Sequence, residues 1–375
     1  MANNTLLLAM YLKHLSIANF KNIVSAELNF SPNINCILGN NGEGKTNLLD
    51  AVYYLSMTKS YFGGSDALNI LHGESYFTIQ GNYLREETEE IAFCGVQRGE
   101  GKVFKRNGKL YERLLEHIGI LPLVMISPTD SELINEAGEE RRKYMNYLLS
   151  QISRDYLNAS VRYNHILLQR NKLLKTPYSS ASEEVLQTLD AQLAQQAVII
   201  YESRKNLIAE LEPTVTQLYH RLSGGRENAG LSYRSDLADG TMTELLTKSR
   251  ERDRVMQHTT KGIHRDDIIM QLDGYSLRRI GSQGQQKTFL LALKLAQYEL
   301  LKQHSGFFPI LLLDDIFDKL DENRMQQLIA ITAQESFGQI FLTDSNKVRL
   351  NAMVKVFTQD YVIFTTAKGA FYATT

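Results

Sequence analysis

Gly39-Asn40-Asn41-Gly42-Glu43-Gly44-Lys45-Thr46 follows the apolar run Ile34–Leu38 and leads through Asn47 into a helical pattern carried by Leu48, Leu49, Val52 and Leu55. A strand, a glycine-rich turn and a helix in that order fit G-x-x-x-x-G-K-[ST], the loop that wraps the phosphates of a nucleotide. The glycines let backbone N–H groups curl around phosphate oxygens, and the helix N-terminus adds the positive end of its dipole. In this reading Gly39, Asn40, Asn41, Gly42, Glu43, Gly44 and Asn47 cradle ATP. Lys45 bridges the β- and γ-phosphates, and the Thr46 hydroxyl sits on Mg2+.

Far downstream, Pro309-Ile-Leu-Leu-Leu-Asp314-Asp315 is apolar until two carboxylates end it. A strand apolar on both faces belongs in the middle of a parallel sheet covered on both sides. Acidic residues at its C-terminal end then face the phosphate loop. Asp314 is expected to hold Mg2+ and Asp315 to orient or deprotonate the attacking water. Asp321 follows closely enough to lie beside them. A third element is Ser282-Gln283-Gly284-Gln285-Gln286, which opens the nearly all-apolar helix Phe289–Ala296. Ser282 caps that helix, and Gly284 lets a phosphate approach its positive end. Leu222-Ser-Gly-Gly-Arg226 has similar letters, but Glu-Asn-Ala-Gly and a strand-like run follow it, so it reads as a loop.

Around these motifs the chain changes character twice. Residues 11–17, 25–30 and 34–38 alternate as strands, and residues 76–125 are β-rich, with a hairpin turn at Asn107-Gly108. From Glu139 to Lys175 apolar residues keep helical spacing, which predicts one long helix; a second runs over about 183–222, with Leu186, Leu193, Ile200 and Leu207 seven apart. A further polar helix is expected over 242–256. The predicted organisation is an α/β body, residues 1–128 and 259–375, interrupted by a helical insertion, residues 129–258, with a short antiparallel helical arm.

Composition limits what such a chain does. Its 375 residues carry 41 Lys+Arg against 42 Asp+Glu, a formal charge of −1. That excludes a uniformly basic nucleic-acid coat and leaves only local basic surfaces. The two cysteines, Cys36 and Cys94, make no disulfide framework and no Cys-rich metal site. The longest apolar runs fall short of a membrane span, and the first residues lack the pattern of a signal peptide, so the expected setting is cytoplasmic.

The motifs together resemble the ABC-type ATPase heads of the SMC and Rad50 group, and more narrowly the RecF family of bacterial recombination and repair proteins. The segments that carry the likeness are Ile17-Ala-Asn-Phe-Lys-Asn22, the phosphate loop, Ile126-Ser-Pro128, Arg141-Arg142, Gln169-Arg-Asn-Lys-Leu-Leu174, Gly262-Ile-His-Arg-Asp-Asp267, Ser282–Gln286 and Leu311-Leu-Leu-Asp-Asp315. Members usually have Arg where Lys21 stands, Asp at Asn146, Pro at Ile263 and Ser-Glu-Leu at Asp318-Lys-Leu. No His follows the strand at Gln339–Leu342, where transporter-type relatives place a switch histidine; Thr343 and Asp344 stand there instead.

The resemblance implies a weak, Mg2+-dependent ATPase in an ABC/SMC-type head with an inserted helical lobe. Lys21 would join the nucleotide contacts. Ser282, Gln283, Gly284 and Gln285 would act in trans on the partner's nucleotide in an ATP-dependent homodimer, with Asp321 in the dimer loop. It implies duplex DNA binding at single-strand gaps and a role with RecR and RecO in loading RecA. Candidate phosphate contacts are Lys102, Lys105, Arg106 and Lys109 on the hairpin and Arg141, Arg142 and Lys143 at the start of the arm; solvated surface charge is the competing reading of both clusters. The rival function is the nucleotide-binding subunit of an ABC transporter. The missing histidine and the long helical insertion count against it.

Overall fold

Alternating burial over the first strands gives the antiparallel pair β1 (Met10–Phe20) and β2 (Ile23–Asn29). β3 (Ile34–Leu38), buried at every position, runs through the glycine-rich loop into α1 (Lys45–Met57). β4 (Tyr76–Arg85), β5 (Thr88–Gln97), β6 (Gly101–Arg106) and β7 (Lys109–Leu110) form a meander. Its last turn has Asn107 at φ 50° and Gly108 at φ 77°, the two left-handed positions that an Asn-Gly hairpin supplies. β8 (Leu123–Ile126) completes this first pass.

The helical region holds α2 (Glu132–Asn135), α3 (Gly138–Ile152), α4 (Arg154–Leu173) and α5 (Ser180–Ser223). β9 (Ala229–Arg234), α6 (Met242–Met256), β10 (Asp267–Leu272), β11 (Tyr275–Ser276), α7 (Leu277–Ile280) and α8 (Gln283–Ser305) follow. The chain then returns through β12 (Ile310–Leu313), α9 (Glu322–Gln334), β13 (Ile340–Asp344), β14 (Tyr361–Ala367) and β15 (Ala370–Thr374). This computed structural model describes residues 9–177, 179–225, 227–316, 322–334, 337–346 and 360–374. Asp321 and Asp318 lie outside the described residues.

By internal contacts the chain forms two units, Met1–Asp130 with Lys294–Thr375, and Ser131–Leu293. The first contains two six-stranded sheets. One is antiparallel, in the order β2-β1-β4-β5-β6-β7; the other has the order β15-β14-β3-β13-β12-β8 and is parallel apart from its β15 edge. β3, β8, β12 and β13 are buried at every position, as expected for strands covered on both faces. α1 touches β1, β4 and β5 of one sheet and β8 and β13 of the other. It is buried almost all round, so it is a core helix between two sheets rather than an amphipathic surface helix. Cys36 and Cys94 are both buried in this unit, and burial pushes each thiol up to about 12. That is the inert state of a structural cysteine.

The second unit is built on α4 and α5. Arg170 late in α4 bonds Asp190 early in α5, and Tyr156 early in α4 bonds Arg204 late in α5, which fixes an antiparallel register. The expected single helix over 139–175 is two helices. Ser153 is extended, at φ −136° and ψ 114°, and its side chain accepts from the Tyr156 N–H, so it stops α3 and caps α4. The apolar spacing crosses the break unchanged, which is why periodicity alone joins the two. The expected return to the body at residue 259 differs from the division by contacts. β10 pairs along its length with β9, and Asp266 and Asp267 bind Arg204 and Arg141, so this stretch is tied to the helical unit. Among the described residues no helix is long and apolar enough to cross a membrane.

Candidate nucleotide site

The phosphate loop is held open by its neighbours. Gly42 and Gly44 stand at φ 85° and 105°, in the left-handed region where a side chain is strained. Gly44 is the N-terminal cap of α1 and provides no side-chain cap, so the first N–H groups of a buried helix point into the loop. Glu43 folds back to accept from the Asn40 N–H at 2.7 Å and its Nδ2 at 3.2 Å. Its carbonyl accepts from Thr366 Oγ1 at 2.9 Å and the Gly369 N–H at 3.1 Å. The β14–β15 hairpin thus braces the loop from below, and a Cβ on Gly39 would meet Thr366 Cγ2 at 2.4 Å.

Lys45 is 3% exposed. Its ammonium donates to the carbonyls of Gly39 at 2.9 Å and Asn40 at 3.1 Å and stands 4.0 Å from the Asp315 carboxylate. Thr46 Oγ1 lies 3.0 Å from both carboxylate oxygens of Asp314, a residue 268 positions away in sequence. Thr343, at the end of β13, donates to Asp314 Oδ1 at 2.9 Å and accepts the Asp315 N–H at 2.9 Å. One hydroxyl therefore orders both acidic residues, at the position where the sequence lacks a switch histidine. Asp315 takes φ 44°, an uncommon conformation for a residue with a side chain. Burial pushes the Asp314 carboxyl up to about 6, against the pull of hydrogen bonds from Thr343 and Thr46.

This donor set fits a magnesium nucleotide. A threonine hydroxyl and a carboxylate are hard oxygen ligands at the start of the phosphate-loop helix. Among the described residues no three His, Cys, Asp or Glu side chains converge. A cation held by Thr46 and Asp314 would take its remaining ligands from phosphate and water, the habit of Mg2+.

Two neighbours of the loop divide the expected work differently. Lys21 pairs with Asp50, a buried carboxylate on α1, at 2.6 Å, and lies over the Phe62 ring. Asn22, beside it, reaches the loop: its amide donates to the Gly42 carbonyl at 3.2 Å, and its oxygen accepts from Asn47 at 2.7 Å. Asn22, Thr343 and Thr366 carry no motif of their own. The first falls in the segment Ile17–Asn22 and the second at the position of the missing histidine; Thr366 falls in no stretch that the sequence singles out.

Ser282, Gln283, Gly284 and Gln285 lie in the other unit, at the start of α8. Ser282 Oγ accepts from the Gln285 N–H at 3.3 Å, and Gln285 Oε1 accepts from the Ser282 N–H at 2.7 Å, a reciprocal capping arrangement. Leu222-Ser-Gly-Gly is a helix stop: α5 runs through Ser223, and Gly224 caps it in the left-handed region at φ 73°.

Most of the candidate DNA contacts are engaged within their own unit. Lys102 binds Asp66 at 2.7 Å and the Thr58 carbonyl at 2.6 Å, and Arg106 is bidentate on Glu90 at 2.9 and 2.6 Å. Arg141 is buried, bidentate on Asp267 at 2.6 and 3.2 Å, and also donates to the carbonyls of Leu133 and Glu136. It is a structural residue. Arg142 donates to the Asp266 carbonyl at 3.0 Å, and burial lowers its pKa; Lys143 pairs with Glu139 and Glu140. Lys105 rests 5.8 Å from the Phe93 ring centroid and Lys109 is exposed; among the described residues neither makes an ion pair. His264 is likewise structural: Nε2 donates to the Thr259 carbonyl at 3.0 Å and Nδ1 accepts from Tyr163 at 2.9 Å. Burial lowers its pKa to about 4.

A phosphate loop between a mixed parallel sheet and an antiparallel sheet, with an acidic pair just past the end of the parallel strand β12 and a long helical insertion between them, defines a P-loop ATPase head of the ABC/SMC type. Residues 11–363 match the family described as the RecF/RecN/SMC N terminal domain. The chain is 46% identical over 96% of its length to the DNA replication and repair protein RecF of Parabacteroides distasonis, covering 98% of that protein. Among solved structures it is similar to the recombination mediator protein RecF-ATP in the RecFOR pathway, with TM-score 0.89 and 30% identity, covering all of both chains. The Smc head domain derived from Pyrococcus furiosus shares the fold at TM-score 0.57 and 15% identity, over 97% of this chain and 96% of that one. The chain belongs to the RecF family of DNA replication and repair proteins.

Proposed function

We propose that the chain is a nucleotide-gated DNA clamp. It binds ATP with Mg2+ and dimerises on it, closes on duplex DNA at single-strand gaps in the cytoplasm, and works with RecR and RecO to load RecA. The observation that carries the nucleotide step is the Thr46–Asp314–Thr343 constellation at the mouth of the phosphate loop. Lys45 exchanges the carbonyls of Gly39 and Asn40 for phosphate oxygens. Thr46 and Asp314 hold the cation, which supplies charge neutralisation at the phosphates when bound. Asp315, ordered through Thr343, orients the water. Ser282 and Gln285 act on the nucleotide of the partner copy, Asp321 belongs to the dimer loop, and ATP favours the closed state by binding it better.

Asp315 is one methylene shorter than the glutamate of fast ABC ATPases, so hydrolysis is slow and works as a timer. A steady-state turnover in the tens per second would contradict this. The test of the whole reading is fluorescence anisotropy of a gapped duplex with Asp315→Asn, which should bind ATP without hydrolysing it, alongside Lys45→Ala. ATP-dependent binding that Lys45→Ala abolishes is the expected result. DNA binding absent in every nucleotide state would remove the clamp.

A further inference from the structure

Glu227 stands in the loop between α5 and β9, outside every motif. Its Oε1 accepts from Gln285 Nε2 at 2.8 Å, and its Oε2 accepts from the Tyr219 hydroxyl at 2.9 Å. Tyr219 is fully buried on the last turns of α5, and its ring lies 6.0 Å from Phe289 on α8. The carboxylate is therefore held from behind by the arm helix and presents its front to the signature loop. Gln285 Oε1 is taken by the Ser282 N–H. Both ends of the Gln285 side chain are thus engaged within the same unit, and the donor that would meet a phosphate faces a carboxylate.

We propose, on the basis of the dimer reading above, that Glu227 is a positioning residue that restrains the signature loop. A triphosphate brought by a second copy of the chain competes with Glu227 for the Gln285 amide. The two anions repel at that distance, so one engagement is made at the expense of the other. Closure of the dimer then includes release of Gln285 from Glu227. Because Tyr219 holds the carboxylate, α5 sets how firmly the restraint is applied.

The test compares wild type, Glu227→Ala and Tyr219→Phe as full chains, with adenosine 5′-(β,γ-imido)triphosphate and Mg2+ as the probe. Removing one charge-assisted hydrogen bond at a part-exposed site should let Glu227→Ala dimerise at about fivefold lower protein concentration in sedimentation. Tyr219→Phe, which frees one carboxylate oxygen and keeps the ring, should shift the same way by less. Affinity of the monomer for a fluorescent ATP analogue should stay within about twofold, because the phosphate loop is untouched. An unchanged or weaker dimer in Glu227→Ala overturns the restraint. A wild type that stays monomeric with nucleotide overturns the dimer reading itself. Hydrogen exchange over residues 285–288 without nucleotide separates the two: Glu227→Ala should exchange faster than wild type whether or not either dimerises, and equal rates would remove the restraint.

Discussion

At the scale of single residues, Thr343 shows how one hydroxyl orders a site. It donates to Asp314 and receives the Asp315 backbone. Thr343→Val keeps the shape and removes both bonds. Partners that orient metal ligands are worth about 10–100-fold in activity, so turnover should fall by about that factor, with nucleotide affinity changed by less than about threefold and activity rescued by Thr343→Ser. A parallel loss of nucleotide binding would give Thr343 a structural role only. His264 allows a pH prediction. Its folded pKa of about 4 lies below the ordinary 6.5, so between these values the unfolded chain binds the proton and the folded chain does not. Stability should fall as pH drops from about 6.5 towards 4, approaching about 3 kcal/mol once fully developed. His264→Gln should flatten that slope in denaturant titrations at a series of pH values. In the sequence the glycines, Lys45, Thr46 and the acidic pair were legible because each sits in a local pattern. Thr366 was not, because it meets the loop from 323 positions away.

At the scale of elements, local chemistry decides boundaries and buried charge decides register. α6 falls on residues 242–256 as the polar helix pattern predicts, because Thr241 and Glu244 form a capping box at its start. The α3–α4 break escapes the pattern because a cap changes the backbone without changing the apolar stripe. Ser153→Ala should cost about 1 kcal/mol in chemical denaturation. The register of α4 on α5 rests on Arg170, which is wholly buried and bonds Asp190 at 2.6 Å and Asp253 at 2.8 Å. Arg170→Met leaves the buried Asp253 without its cation and Asp190 with Arg250 alone, and should cost about 3–5 kcal/mol. Nothing in the spacing of leucines announces this. Gln169-Arg-Asn-Lys-Leu-Leu174 stood out by resemblance, and its physical content is that one arginine joins three segments.

At the scale of the whole molecule, the near-neutral charge and the clustered lysines make opposite suggestions about DNA, and the ion pairs separate them. Lys102, Arg106 and Arg141 are held by Asp66, Glu90 and Asp267, so a phosphate would have to displace a carboxylate already in place. Lys105 and Lys109 have no such partner among the described residues. If the hairpin meets the duplex backbone, these two are the charges that release counterions on binding. Lys105→Ala with Lys109→Ala should weaken ATP-dependent binding of a gapped duplex and lower the slope of log K against log salt by about 2, close to one per phosphate contact. Lys102→Ala should lower thermal stability by leaving the part-buried Asp66–Tyr54 pair without its cation, with the salt slope nearly unchanged. A double variant with wild-type slope and affinity would move the DNA surface away from the hairpin, and a slope that falls only with Lys102→Ala would mean that DNA opens the Asp66 pair on binding.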